Sequence, residues 1–229
     1  MQKYYSLGTE GRQADIYIFG DITSCAWDES DVSSFSLSKQ LAELDVDVIN
    51  IHINSYGGEV AEGLAIYNML KNHPAKVKTY CDGFACSIAS VIFMAGDERI
   101  MNNASMLMIH NAWTYTAGNA DDLRKVADDL DIISQGAFAA YKSAVNISDE
   151  KLLEMLDAET WMLPDDALEM GFATSIIGVE QTNKVAASAD KALFLMLKKA
   201  LQIEPAPMPE PTPEPKENKI QNMMAALFR

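Results

Sequence analysis

The 229-residue chain is poor in basic residues and in cysteine, and each shortage excludes a class of function. Its 18 lysines and arginines are outnumbered by 33 aspartates and glutamates, which gives a formal net charge of −15. A chain this acidic repels phosphate groups, so neither nucleic acid nor an anionic membrane surface is an expected partner. The three cysteines, Cys25, Cys81 and Cys86, are odd in number and lack metal-ligand spacing, which predicts neither a disulfide framework nor a metal site.

Long apolar runs are also lacking. The longest, residues 84–96, is shorter than the roughly 20 residues that a membrane-spanning helix needs, and it is predicted to be a buried helix. The opening residues, MQKYYSLGTEGRQ, lack the basic-then-apolar order of a signal peptide. Together with the cysteine usage, these features predict a protein of the reducing cytoplasm, with no membrane partner.

Proline is scarce except in one segment. Six of the eight prolines lie in EPAPMPEPTPEPKE, which begins at Glu204 and contains no residue suited to a core. Such a composition predicts an extended acidic linker, residues 204–218, after a single domain formed by residues 1–203. Residues 219–229 form a short amphipathic segment that we expect to dock on a partner or to be removed.

The hydrophobic residues, 48% of the chain, follow an alternation of strand and helix patterns. Four stretches have the pattern of strands: residues 15–22, 48–54, 76–81 and 106–110. Helical spacing separates them, clearly from Val60 to Leu70 and more weakly over residues 31–44. This order predicts an α/β layered domain, and residues 119–145 are predicted to form a projecting or interface helix.

The three histidines limit the choice of a general base. His52 lies within a strand and His73 directly precedes Pro74 at a helix end, so both are predicted to have structural roles. His110 is different, because it ends a strand and precedes the polar loop NAWTYTAGN. Functional side chains are common at such positions, and a histidine can exchange protons near neutral pH.

The candidate nucleophile is Ser87, in DGFACSIAS, where a strand meets an apolar helix. A serine at such a junction has an exposed hydroxyl beside the free amide donors of the helix N-terminus. The alternative is a small residue that only packs tightly in the helix. The segment SYGGE, residues 55–59, adds paired glycines, which either expose amide hydrogens to a ligand or form an ordinary turn.

Four segments resemble the proteolytic subunit of the Clp protease family, in the correct order and with similar gaps. They are INSYGG, GFACSIAS, MLMIHNAW and ETWMLPDDALEMGFAT, and the resemblance extends from Ile16 to Ile177. It implies a crotonase-like α/β spiral of β-β-α units, with the helix over residues 119–145 as a projecting handle. It also implies a homo-oligomeric ring that encloses serine endopeptidase sites acting on polypeptides, with no cofactor.

Carried over to this chain, the resemblance implies that Ser87 is the nucleophile and His110 its base. The oxyanion donors would be the backbone amides of Gly58 and Ile88. For the acidic member of the triad, the alignment favours Glu159, counted back from the aromatic Trp161. Asp157 remains a rival, two residues earlier and on the same face if the segment is extended.

The segments IYIFGDI, AGNADDLRK and DAETW resemble the phage-encoded branch, the Clp-like head maturation proteases. This implies capsid or scaffold proteins as substrates, in the bacterial host cytoplasm. Two prolines of the family pattern are replaced here: Tyr56 stands for the proline of the glycine-containing segment, and HNAW lacks the proline that follows the histidine. The short N-terminus lacks a counterpart to the loops that engage an unfoldase, so dependence on an ATPase is not expected. The alternatives are a general cytoplasmic peptidase partnered by an unfoldase, a crotonase-type acyl-CoA enzyme and an inactive assembly protein.

Overall fold

The computed structural model describes residues 5–8, 12–25 and 28–178, and eight strands and six helices lie within these ranges. The strands are β1 Tyr5–Gly8, β2 Gln13–Ile18, β3 Val48–Ser55, β4 Lys76–Cys86, β5 Glu98–Asn102, β6 Met106–Ile109, β7 Thr160–Met162 and β8 Ser175–Ile177. The helices are α1 Ser34–Ala42, α2 Val60–Lys71, α3 Ile88–Phe93, α4 Ala120–Lys142, α5 Asp149–Asp157 and α6 Pro164–Glu169. The α/β class predicted from the sequence is confirmed.

The sheet branches at its longest strand, β4. Its main path runs β1-β2-β3-β4-β5-β8, and the pairs from β2 onwards are parallel while β1 is antiparallel. The first half of β4 pairs with β5, whereas Phe84 to Cys86 pair with Met106 to Met108 of β6. β6 also pairs with β7 in antiparallel orientation. The carboxyl ends of β4 and β6 therefore lie side by side.

The core is formed by strand residues that alternate with exposed ones and by the helices packed on them. In β3, Ile49, Ile51 and Ile53 are all fully buried, as the two-residue period of a strand requires. Every residue of α3 is buried, because this helix packs between α2, the sheet and α4. The contacts of α3 with α2, α4 and the sheet hold this short apolar helix in place, and they also hold Ser87, the residue directly before it.

Two boundaries differ from the sequence prediction. The strand predicted to end at Cys81 continues to Cys86, and the apolar run of residues 84–96 is helical only from Ile88 to Phe93. Pairing with β6 explains the difference, because a distant strand supplies backbone partners for Phe84 to Cys86 that local propensity does not reveal.

Helix α4 corresponds to the predicted handle. Its 23 residues have a length of about 34 Å, and only Ala140 and Tyr141, near its end, are buried. The helix begins with a capping box between Asn119 and Asp122, which satisfies free amide groups of its first turn. Most of α4 is exposed, whereas the buried side chains of Ala140 and Tyr141 hold its C-terminal turn against the core.

The predicted linker and terminal segment, residues 204–218 and 219–229, lie outside the described residues. So do residues 179–203 of the predicted domain. None of the helices in the described ranges combines the length and the apolar character needed to cross a bilayer.

Candidate active site

Ser87 lies alone between the last residue of β4 and the first residue of α3. Its φ of 55° and ψ of −128° fall in a region that residues other than glycine rarely adopt. The Ser87 N–H donates to the carbonyl of Met108 at 2.9 Å, and the hydroxyl does not cap the helix. This strained turn, supported by β6, leaves the hydroxyl group available for another partner.

That partner is His110. The Ser87 Oγ lies 2.7 Å from the Nε2 atom of His110, which directly follows β6. The parallel pairing of β4 with β6 causes this proximity, because both side chains extend from neighbouring strand ends. The structure therefore brings the predicted nucleophile and base within hydrogen-bond distance.

The environment of His110 favours the neutral imidazole. Partial burial lowers the pKa of His110, and the negative charge of Glu159 offsets part of that decrease. A neutral ring at neutral pH can accept the proton of Ser87, which the protonated ring cannot do.

Glu159 follows α5 and its capping residue Ala158, with a positive φ of 48°. Glycine commonly occupies this position after a helix, because other residues are strained there by roughly 1 kcal/mol. Glu159 lines the same cleft as Ser87 and His110, although no hydrogen bond joins it to the histidine among the described residues. Its influence on His110 in this structure is electrostatic.

Asp157, the rival acid, has a different partner. It is the last residue of α5, so the extended segment that would put it on the same face as Glu159 does not exist. One oxygen of its carboxylate accepts a hydrogen bond from the Nδ2 atom of Asn111 at 2.7 Å. Asp157 thus contacts the residue that follows His110.

Gly58 and Ile88 both have backbone N–H groups without an acceptor among the described residues. Ile22 donates to the Gly57 carbonyl at 2.9 Å and accepts from the Glu59 N–H at 2.7 Å, so the N–H of Gly58 is left unpaired. Ile88 is the first residue of α3, where no earlier helical carbonyl exists. These two groups are free to donate to a ligand.

Gly57 brings this loop close to Ser87. It has a φ of 108°, and a Cβ atom added there would lie 2.8 Å from the Ser87 Cβ and 3.2 Å from the Ile88 nitrogen. For the serine peptidase that the resemblance implies, we expect Gly57→Ala to lower kcat on the order of 10²-fold, because the loop must move away from Ser87.

Gly136→Ala is the matched control for Gly57→Ala. It lies in α4, and its added Cβ would meet only the flexible end of Leu64 at 3.0 Å. Steady-state kinetics and urea denaturation of both variants separate catalytic from folding effects. A normal kcat for a folded Gly57→Ala protein would show that the close approach of this loop to Ser87 is not needed for the reaction.

Hydrogen bonds from Tyr141 through Ser90 to the Ser87 carbonyl support the turn at Ser87. Ser90 Oγ donates to the Ser87 carbonyl at 2.6 Å, and the hydroxyl of Tyr141 lies 2.7 Å from the same Oγ. Burial strongly raises the pKa of Tyr141, so its hydroxyl stays neutral and can donate. Sequence reasoning missed Tyr141, because no local pattern relates residues 51 positions apart.

We expect Tyr141→Phe to lower the free energy of unfolding by about 1 kcal/mol, since one buried hydrogen bond is lost. Tyr115→Phe is the control, because the Tyr115 side chain is almost fully exposed. Urea denaturation at one fixed protein concentration measures both. Equal stability of the two variants would show that the Tyr141 hydroxyl does not support the turn.

The other two histidines have structural contacts away from the cleft. His52 bonds to Asp82 at 2.8 Å and stacks between Tyr17 and Tyr80, whereas His73 Nδ1 accepts from a backbone N–H at 3.1 Å. Within the described ranges, no three histidine, cysteine or acidic side chains are grouped to hold a metal ion.

Comparison with known proteins identifies the family. The model of the Clp protease family matches residues 28–180. Three of the relatives are ATP-dependent Clp protease proteolytic subunits. The one from Deinococcus radiodurans is 34% identical over 59% of this chain and 68% of its own length. The one from Bacteroides fragilis is 31% identical over 64% of this chain and 74% of its own length. The one from Borrelia garinii is 27% identical over 72% of this chain and 85% of its own length.

The family match includes the cleft segments from the loop before α2 to Glu159, whereas the cleft residues Asp21, Ile22 and Thr23 precede it. It also agrees with the resemblance found in the sequence and with the branched parallel sheet. The chain belongs to the Clp protease family and is a serine endopeptidase.

Proposed function

We propose that Ser87, His110 and Glu159 act as a catalytic triad in which Ser87 forms an acyl-enzyme. The observation that carries this proposal is the 2.7 Å distance between Ser87 Oγ and His110 Nε2. As Ser87 Oγ attacks the carbonyl carbon of the substrate, its proton moves to His110 Nε2. The imidazolium then gives this proton to the leaving amine, and water hydrolyses the ester with His110 again as the base.

The negative oxygen of each tetrahedral intermediate accepts hydrogen bonds from the backbone N–H groups of Gly58 and Ile88. Both groups are unpaired within the described residues, so no protein hydrogen bond is lost when the oxyanion forms. Each such donor contributes roughly 10²–10³ in rate. Glu159 stabilises the imidazolium, because its charge favours the protonated ring.

We further propose that the natural substrates are phage capsid or scaffold proteins. The support is the resemblance of IYIFGDI, AGNADDLRK and DAETW to the head maturation branch. A homo-oligomeric ring suits this role, and the exposed length of α4 offers a surface for contacts between subunits. Native mass spectrometry of the purified protein reports the assembly.

Co-expression with phage capsid and scaffold genes tests the choice of substrate. We expect shortened capsid or scaffold chains with the wild-type protein and full-length chains with Ser87→Ala. Unchanged masses in both cultures would argue against a role in head maturation.

A second candidate is a general peptidase that works with an unfoldase. The names of the relatives favour it, since they describe ATP-dependent proteolytic subunits. Degradation of a folded protein only when a host unfoldase and ATP are added would support this candidate. Labelling of Ser87 by a fluorophosphonate would exclude an acyl-CoA enzyme without a nucleophile and an inactive assembly protein.

A further inference from the structure

The cleft beside Ser87 combines acidic and aromatic side chains. It has a volume of about 870 Å³, and its described lining includes no lysine or arginine. Its acidic residues are Asp21, Glu59 and Glu159, and its exposed aromatic residues are Tyr56 and Trp113. Ser87 lies in this cleft, so a molecule that reacts with Ser87 binds among the residues that line it.

Glu59 occupies a fixed position next to the oxyanion donor Gly58. Thr23 and Ser24 donate to one carboxylate oxygen of Glu59 at 2.8 and 3.1 Å. These bonds lower the pKa of Glu59, so the side chain is ionised at neutral pH. No lysine or arginine of the described chain pairs with Glu59 or with Asp21, which leaves two uncompensated charges in the cleft.

Two exposed aromatic side chains complete the cleft. Tyr56 is 69% exposed and contacts Phe84 edge to face, with ring centroids 5.4 Å apart. Trp113 is 62% exposed and has a similar contact with Tyr115 at 5.1 Å. Large exposed aromatic surfaces beside uncompensated carboxylates suit a cationic side chain, whose stem packs on a ring while its charge approaches the acids.

We infer that the cleft selects polypeptides with a lysine or arginine close to the scissile bond. Glu59 pairs with the cation, Asp21 adds to the negative potential, and Tyr56 or Trp113 packs against the stem. The inference deepens the proposed function, because it concerns the substrate of the same nucleophile. Since the ion pair is exposed to solvent, the preference weakens as salt is added.

The test compares two quenched fluorescent peptides that differ at one residue, lysine or its uncharged analogue norleucine. This residue is placed in turn at each position flanking the scissile bond. At the preferred position and at low salt, we expect kcat/KM to be about tenfold higher for lysine than for norleucine. Salt at about 1 M should remove most of this difference.

Variants assign the preference to Glu59. Glu59→Gln keeps an oxygen for Thr23 and Ser24 but removes the charge, and it should lower the lysine-to-norleucine ratio several-fold. Glu43→Gln removes one charge from the end of α1, outside the cleft lining, and should keep the wild-type ratio. An unchanged ratio in Glu59→Gln would overturn its role as the selecting residue.

Binding to Ser87→Ala makes the inference independent of catalysis. Fluorescence anisotropy of the labelled peptides should show tighter binding of the lysine peptide. Equal or weaker binding, with equal kcat/KM in the wild type, refutes the selection of basic residues even if hydrolysis occurs. If Ser87→Ala binds the lysine peptide more tightly but the wild-type protein hydrolyses neither peptide, the inference is supported and the proposed peptidase mechanism is refuted.

Discussion

In the proposed mechanism, replacing Ser87 by alanine lowers kcat for a peptide substrate by about 10⁶-fold, because the nucleophile is lost. The Ser90 hydroxyl, three residues along the chain, is buried and already bonded to the Ser87 carbonyl and to Tyr141. Any remaining hydrolysis is expected to come from water attacking a carbonyl that the proposed oxyanion donors, the amides of Gly58 and Ile88, hold in place. Pre-steady-state and steady-state assays on a fluorogenic peptide measure the loss.

Ser38→Ala is the control for Ser87→Ala. Ser38 lies in α1, where its hydroxyl bonds only to the Phe35 carbonyl among the described residues, and α1 does not line the cleft. Alanine at position 87 has the same backbone strain as serine, so both variants should unfold at similar urea concentrations. A folded Ser87→Ala protein that cleaves at the wild-type rate would remove Ser87 from the mechanism.

Local sequence makes Ser87 and His110 candidates, because both stand where regular structure ends. A strand pattern stops before each of them, and a polar loop or an apolar helix follows. The pairing of β4 with β6 that brings them together is a contact between distant segments. Their proximity could therefore be expected from the family resemblance but not from periodicity.

The elements that the sequence analysis missed depend on distant partners. β5, β7 and β8 are short, of three to five residues, and lack sustained alternation. Asp21 and Glu59, unlike Glu159, were not predicted to line the cleft, for a similar reason. Glu59 approaches Thr23 because Ile22 bonds through its backbone to Gly57 and Glu59. Local pattern reports which face of an element is buried, whereas such contacts depend on the complete fold.

The choice between Glu159 and Asp157 remained open because it depends on where α5 ends. Two residues apart on a strand, these side chains would share one face. The helix instead continues to Asp157, and the positive φ of Glu159 turns the chain sharply after it. The acids consequently have different neighbours: Asp157 accepts from Asn111, whereas the charge of Glu159 acts on the ring of His110.

Glu159→Gln should lower kcat on the order of 10²-fold, since the imidazolium formed during attack loses its stabilising charge. The variant should also change the pH profile of kcat/KM, which reports the pKa of the base in the free enzyme. Burial already lowers the pKa of His110 below its usual 6.5, and Glu159 raises it. Without that charge the pKa decreases further, so the acidic limb of the profile moves to lower pH.

Asp157→Asn is the matched control, because it removes the same charge two residues away and can still accept from Asn111. If Glu159 is the triad acid, Asp157→Asn keeps both the wild-type kcat and the position of the acidic limb. The reverse result, a lower kcat and a displaced limb only in Asp157→Asn, would assign the role to Asp157. A merely structural effect of Glu159→Gln would reduce the amount of folded enzyme without moving the limb, so the pH profile separates positioning of His110 from support of the fold.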